Sequence, residues 1–150
     1  MNVRKGQLDD LSRKILTIAN IVMLLTIVLH DADHCRQAMN WGYTIGLSLW
    51  LINCLVYIPN LVALLLTHQR HRSAALVTCI SGLIIAVAFA KVHLLGSTEL
   101  PIWGIWNKSF FVLGADAISW SILAFTVGVG VGVAGAYVMG RLSATAVLQK

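Results

Sequence analysis

Long apolar runs separated by short polar connections set the pattern of this chain. Uncharged stretches extend from Ile15 to His30, from Thr44 to Thr67, from Ser73 to Ala90 and from Ala117 to Gly140. A helix that crosses a bilayer needs about 20 apolar residues. The runs therefore predict four spans, over about 15–37, 44–67, 73–96 and 116–141. Barrel strands would alternate apolar and polar positions in segments of about 10 residues, and these runs do not. Lipid also forces backbone polar groups to pair within a helix or a closed barrel. The expected fold is all-α: a polytopic membrane protein, a four-transmembrane-helix bundle in one domain over 1–150.

Composition agrees. The chain is 58% hydrophobic and 11% charged, against about 25% charged in an ordinary soluble domain. A freely soluble globular protein is excluded, and so is a disordered chain, which would be poor in apolar side chains.

Basic residues orient the spans. Arg4, Lys5, Arg13, Lys14, Arg70, Arg72, Arg141 and Lys150 gather on one side; the opposite loops hold Arg36 and Lys108, with Lys91 inside the third span. Both termini are expected in the cytoplasm, in a multi-pass protein of the cell membrane. The net charge of +5 follows from this asymmetry, with anionic lipid as its natural counterpart and no nucleic-acid partner. The first span ends in His30-Asp31-Ala32-Asp33-His34 without a signal-peptidase-like site, so it is expected to be retained. Cys54 and Cys79 read as small apolar fillers, and Cys35 stands alone in an outer loop.

The polar side chains that remain are unevenly placed. Asp31, Asp33, Glu99, Asp116, His30, His34 and His93 all fall at the outer end, whereas His68 and His71 sit in a basic inner turn. At 100° per residue, His30, Asp33, His34 and Gln37 share one helical stripe if the first helix continues past its apolar run. In the third span, Gly82, Ala86 and Ala90 form a small-residue seam for close helix packing, and His93 continues it toward the other helices. Lys91 points elsewhere, either snorkelling to the headgroups or pairing with Asp33 or Asp116. Asp116 opens the fourth span as a helix cap. Gly128, Gly132, Ala136 and Gly140 form a second seam on the opposite side, suited to packing within the bundle or to a homo-oligomer or larger membrane complex.

Imidazole and carboxylate together suit zinc, copper or iron. His30 and His34 have the i, i+4 spacing that presents two ligands on one face, and His93, Asp33 and Asp116 can complete a metal site from other positions. The missing glutamate of H-E-x-x-H argues against a zinc protease. His30 and His93 can alternatively serve one b-type haem or a quinone. The aromatic connection 97–115, with Trp103 and Trp106, then acts as a lid over the cofactor or as an interfacial belt. A two-haem conduit is disfavoured, since the inner end offers histidines on one connection only.

The functional expectation is an outer-face metal, haem or quinone site. Alternatives are a helper or assembly subunit, a small oligomeric transporter, and a membrane hydrolase. No residue pattern identifies a reaction, and no acid in mid-span is placed to carry a proton.

Overall fold

The computed structural model describes residues 8–97 and 101–148, with backbone alone for 101–103 and 137–148. Its described elements are helical throughout. Helix α1 covers Asp10–Trp41, α2 Leu47–His68 and α3 Ala74–Ala90, the last continuing into a π-helical turn at Lys91–Leu95. A 3₁₀ segment, Pro101–Asn107, and a short helix α4, Phe110–Leu113, lead into α5, Ala117–Leu148. Four helical stretches are long and apolar enough to cross a membrane: Asp10–Trp41, Leu47–His68, Ala74–Leu95 and Ala117–Ala136.

Helix α1 is longer than its apolar run because both ends carry their own signals. Asp9 caps the start, its carboxylate accepting the Ser12 N–H at 2.8 Å and the Ser12 hydroxyl at 2.6 Å. Leu16, Asn20, Met23, Ile27, His30 and His34 follow at steps of three or four and are all buried, while Ile18, Leu25 and Val28 stand exposed. This spacing keeps the polar stripe at 30–37 on the inward side, as expected from its register. Inside the bundle, Asn20 donates from Nδ2 to Thr78 Oγ1 at 2.9 Å and joins α1 to α3.

Helices α3 and α5 pack backbone against backbone. A Cβ on Gly82 would stand 2.5 Å from the Gly130 carbonyl oxygen, and one on Gly130 would stand 2.8 Å from that of Gly82. Only glycine permits this approach. The expected seam on α3 is therefore present, but its partner on α5 is Gly130 rather than Gly128 or Gly132. Nothing lies within 4 Å of a Cβ at either of those two. A step of two residues turns a helix by 200°, so in the run Gly128-Val129-Gly130-Val131-Gly132 the alternate glycines face opposite ways. Ala136 is buried with Leu16 and Ala74, and of Gly140 only the backbone is described. The core nearest the histidines contains Met23, Ile27, Ile85, Phe89, Phe110, Leu123 and Val133. Cys54 is exposed and Cys79 half-buried, so both border the bundle instead of filling its interior.

Candidate metal centre

His30 and His34 lie one turn apart on α1, and His93 reaches them from the π turn that ends α3. All three are buried. Their rings converge, with centroids 4.5 Å apart for His30–His34, 4.8 Å for His30–His93 and 5.6 Å for His34–His93. One ring nitrogen from each lies within 4.8 Å of the other two, so the group can hold a metal ion.

Hydrogen bonding orients His93. Its Nδ1 is 2.8 Å from the Phe89 carbonyl oxygen. A carbonyl only accepts, so Nδ1 carries the proton and the neutral ring keeps its lone pair on Nε2. That Nε2 is 3.3 Å from His34 Nε2. Two nitrogens on one tetrahedral zinc, each bonded at about 2.0–2.1 Å, stand about 3.3–3.4 Å apart. Without an ion, a hydrogen bond between the two nitrogens spans the same gap. His30 Nδ1 is buried and has no hydrogen-bond partner, a condition that costs about 1–3 kcal/mol in a packed interior. Water or an ion would relieve it.

Aromatic side chains close the group off. Phe89 packs edge-on against His30 at 4.4 Å, Phe110 against His93 at 4.5 Å, and Trp106 lies 5.1 Å from His34. Trp106 arrives from the connection after α3, whose two ends are stitched together by the Ser97 N–H donating to the Asn107 carbonyl at 2.9 Å. Gly96 makes the closure possible: its φ is 78°, and a Cβ there would meet the Asn107 oxygen at 2.6 Å. Trp106, from the connection expected to serve as lid or interfacial belt, is buried against His34. The side chain of Trp103 and all of Glu99 lie outside the described residues.

The nearby acids are engaged elsewhere. Arg36 donates from Nε to Asp33 at 2.8 Å and grips both oxygens of Asp116 at 2.6 and 2.9 Å. Gln37 donates to the other oxygen of Asp33 at 2.6 Å and to the Ser119 hydroxyl at 2.7 Å. Asp116 also caps α5 by accepting the Ser119 N–H at 3.0 Å, so its expected capping role is present. The Arg36 guanidinium and the Ser119 N–H together hold the Asp116 carboxyl well below the usual carboxylate range. Asp31 accepts a bond from the Tyr57 hydroxyl at 2.6 Å. The structure therefore brings together His30, His34 and His93 from the candidate ligands, and places Asp33 and Asp116 in an arginine-centred network beside them. Lys91 is exposed; the ion pairs on Asp33 and Asp116 come from Arg36.

Arg36 is the residue that sequence reasoning passed over, having counted it only toward orientation. Its i, i+3 spacing from Asp33 was a usable signal; its reach to Asp116 was not. Phe89 was missed as well, since nothing local marks a carbonyl that orients a histidine.

The chain matches no protein-family model, no curated protein and no solved structure.

Proposed function

We propose that this chain is a four-span membrane protein, with both termini cytoplasmic, that binds one first-row transition-metal ion through His30, His34 and His93 at its extracytoplasmic end. The observation that carries the reading is the meeting of three buried imidazoles, one of them oriented by the Phe89 carbonyl so that its lone pair faces the group. Metal-bound histidines usually donate their second ring N–H to such an acceptor. Three neutral nitrogens suit zinc, copper or iron better than magnesium or calcium, and three protein ligands leave a coordination position open.

Ring spacing favours an ion over haem. Axial imidazoles lie on opposite faces of a flat macrocycle, whereas His30 and His93 meet edge to face with centroids 4.8 Å apart. No slot for a macrocycle separates them. Asp33 and Asp116 would serve the site indirectly, by anchoring the end of α1 to the start of α5 through Arg36.

Metal analysis of protein purified in a mild detergent tests the proposal. We expect about one ion per chain, falling to background in each of His30→Ala, His34→Ala and His93→Ala while helical circular dichroism is kept. Full metal content in the His30 and His93 variants would overturn it.

A second reading, association with another membrane helix, is favoured by the open face of α5. Gly128 and Gly132 present bare backbone there, and Gly132 lines a shallow apolar groove with Ile15, Ile18 and Val22 of α1. Such a surface suits a homo-oligomer or a helper subunit of a larger complex.

A further inference from the structure

The three histidines form one wall of a cavity of about 220 Å³ that runs between α2 and α3. Its other walls are apolar: Leu49, Ile52 and Val56 come from α2, and Ala88 and Val92 from α3. Phe89, Trp106 and Phe110 add aromatic faces. Ala88 is exposed, so the cavity has a mouth at the surface of the α2–α3 seam. Among these walls stand two buried donors of unexplained purpose, the Trp106 indole N–H and the Asn53 amide. Asn53 is nine-tenths buried, it lines the cavity, and its Nδ2 has no hydrogen-bond partner. An amide donor left unpaired in an apolar interior is costly, and a ligand that accepts from it would recover that cost.

From this we infer that the cavity binds a one-ring phenol, whose ring fills the apolar space and whose oxygen meets the histidine-bound ion and the Asn53 amide. The inference rests on the metal reading and names its ligand class. Size supports it: an apolar cavity of about 150 Å³ takes benzene, so 220 Å³ accommodates one substituted ring and falls below the roughly 300–1,000 Å³ of drug-sized sites. Wall chemistry supports it as well, because aromatic side chains favour a flat π-faced ligand in offset or edge-on packing. The polar groups lie at the histidine wall and at Asn53, which matches an apolar body carrying an oxygen. A carboxylate or phosphate could ligate the ion, but its remaining charged oxygens would be left against apolar walls. The cavity's charged wall residue is Lys108, which is exposed.

Cobalt(II) in place of the native ion provides a visible spectrum that reports its ligands. Cobalt-loaded protein in lipid nanodiscs would be titrated with 4-methylphenol, and with toluene as the ring lacking an oxygen. We expect a saturable change in the cobalt bands with 4-methylphenol and none with toluene. Filling the cavity with Ala88→Phe, or from the other wall with Ile52→Trp, should raise the half-saturating concentration about tenfold or more at unchanged cobalt content. Asn53→Leu should raise it in the same direction. Cobalt bound at the histidines but indifferent to 4-methylphenol, or a response that both filled cavities leave intact, overturns this inference and leaves the metal site standing. Failure of the wild-type protein to take up cobalt at the histidines overturns both.

Discussion

The Nε2 atoms of His34 and His93, 59 residues apart in sequence, stand 3.3 Å apart inside the bundle. The two rings come from the C-terminal ends of two parallel helical stretches, so an ion shared between them would fasten α1 to α3. A ligand that binds only the folded state stabilises it by about 2.7 kcal/mol at a hundred times its dissociation constant. Metal addition should therefore raise the thermal midpoint, and a chelator should lower it again. His34→Ala should abolish the response to metal. A midpoint that moves with zinc or copper in the His34 variant as much as in the wild type would contradict this.

Arg36 is held by carboxylates on both α1 and α5, and only one of them is buried: the Asp33 side chain is 3% exposed and that of Asp116 47%. Removing the partner of a buried charge costs about 3–5 kcal/mol. Arg36→Ala should therefore destabilise the fold by about 3 kcal/mol, and Asp116→Asn by clearly less. Lysine lacks the planar fork that grips two carboxylates at once, so Arg36→Lys should recover only part of the loss. Unfolding titrations in detergent give the ranking.

The same pair sets a pH dependence. Arg36 and the Ser119 N–H lower the Asp116 pKa in the folded protein. A depressed carboxylate contributes stability above its unfolded pKa of about 3.9 and loses it as pH falls toward the folded value. Between pH 7 and about pH 5 this contribution should be constant. Below that it should decline, and Asp116→Asn should flatten the acid limb of the stability curve. An unchanged acid limb in that variant would refute the assignment.

Gly82 and Gly132 make a matched comparison. A side chain at Gly82 would strike the Gly130 carbonyl, while one at Gly132 would meet open space. Overpacking a tight contact costs about 1–3 kcal/mol, so Gly82→Leu should destabilise the single chain by at least that much. Gly132→Leu should leave the single chain intact and reduce any self-association or co-purifying partner, read by native mass spectrometry. Equal damage from both would refute the packing described for α5.

Trp106 tests the lid. Truncating a buried tryptophan costs about 3–5 kcal/mol when its surroundings cannot collapse, but Trp106 sits at the end of the bundle on a short 3₁₀ segment. Trp106→Phe should therefore keep the fold while opening a path to His34. The expected result is faster removal of bound metal by a chelator, by about tenfold, with stoichiometry unchanged.

Several of these features could be read along the chain because they depend on local periodicity. The inward stripe of His30, His34 and Gln37 follows from 100° per residue, and so does the burial of His93 beyond Gly82 and Ala86. Asp116 announces itself as a cap by its position before an apolar run. Where periodicity is ambiguous, so was the reading. Glycines at 128, 130 and 132 offer two opposite faces of one helix, and only packing against Gly82 selects Gly130. The cysteines looked like core residues by composition, yet Cys54 faces outward, because apolar character does not separate the inside of this bundle from its surroundings.

What the sequence by itself determined is the number of span-length helices, their approximate limits and the placing of His30, Asp33, His34, His93 and Asp116 at one end. These follow from hydropathy and helical repeat, which act over a few turns. Tertiary structure alone decided how the polar groups divide. Arg36 reaches 80 residues along the chain to Asp116 and 83 to Ser119, drawing the carboxylates into its own network. The π turn and the Phe89 carbonyl aim His93 at His34. Charge and hydrogen-bond geometry work over a few ångströms in space, so spacing along the chain could not say which distant residues would meet.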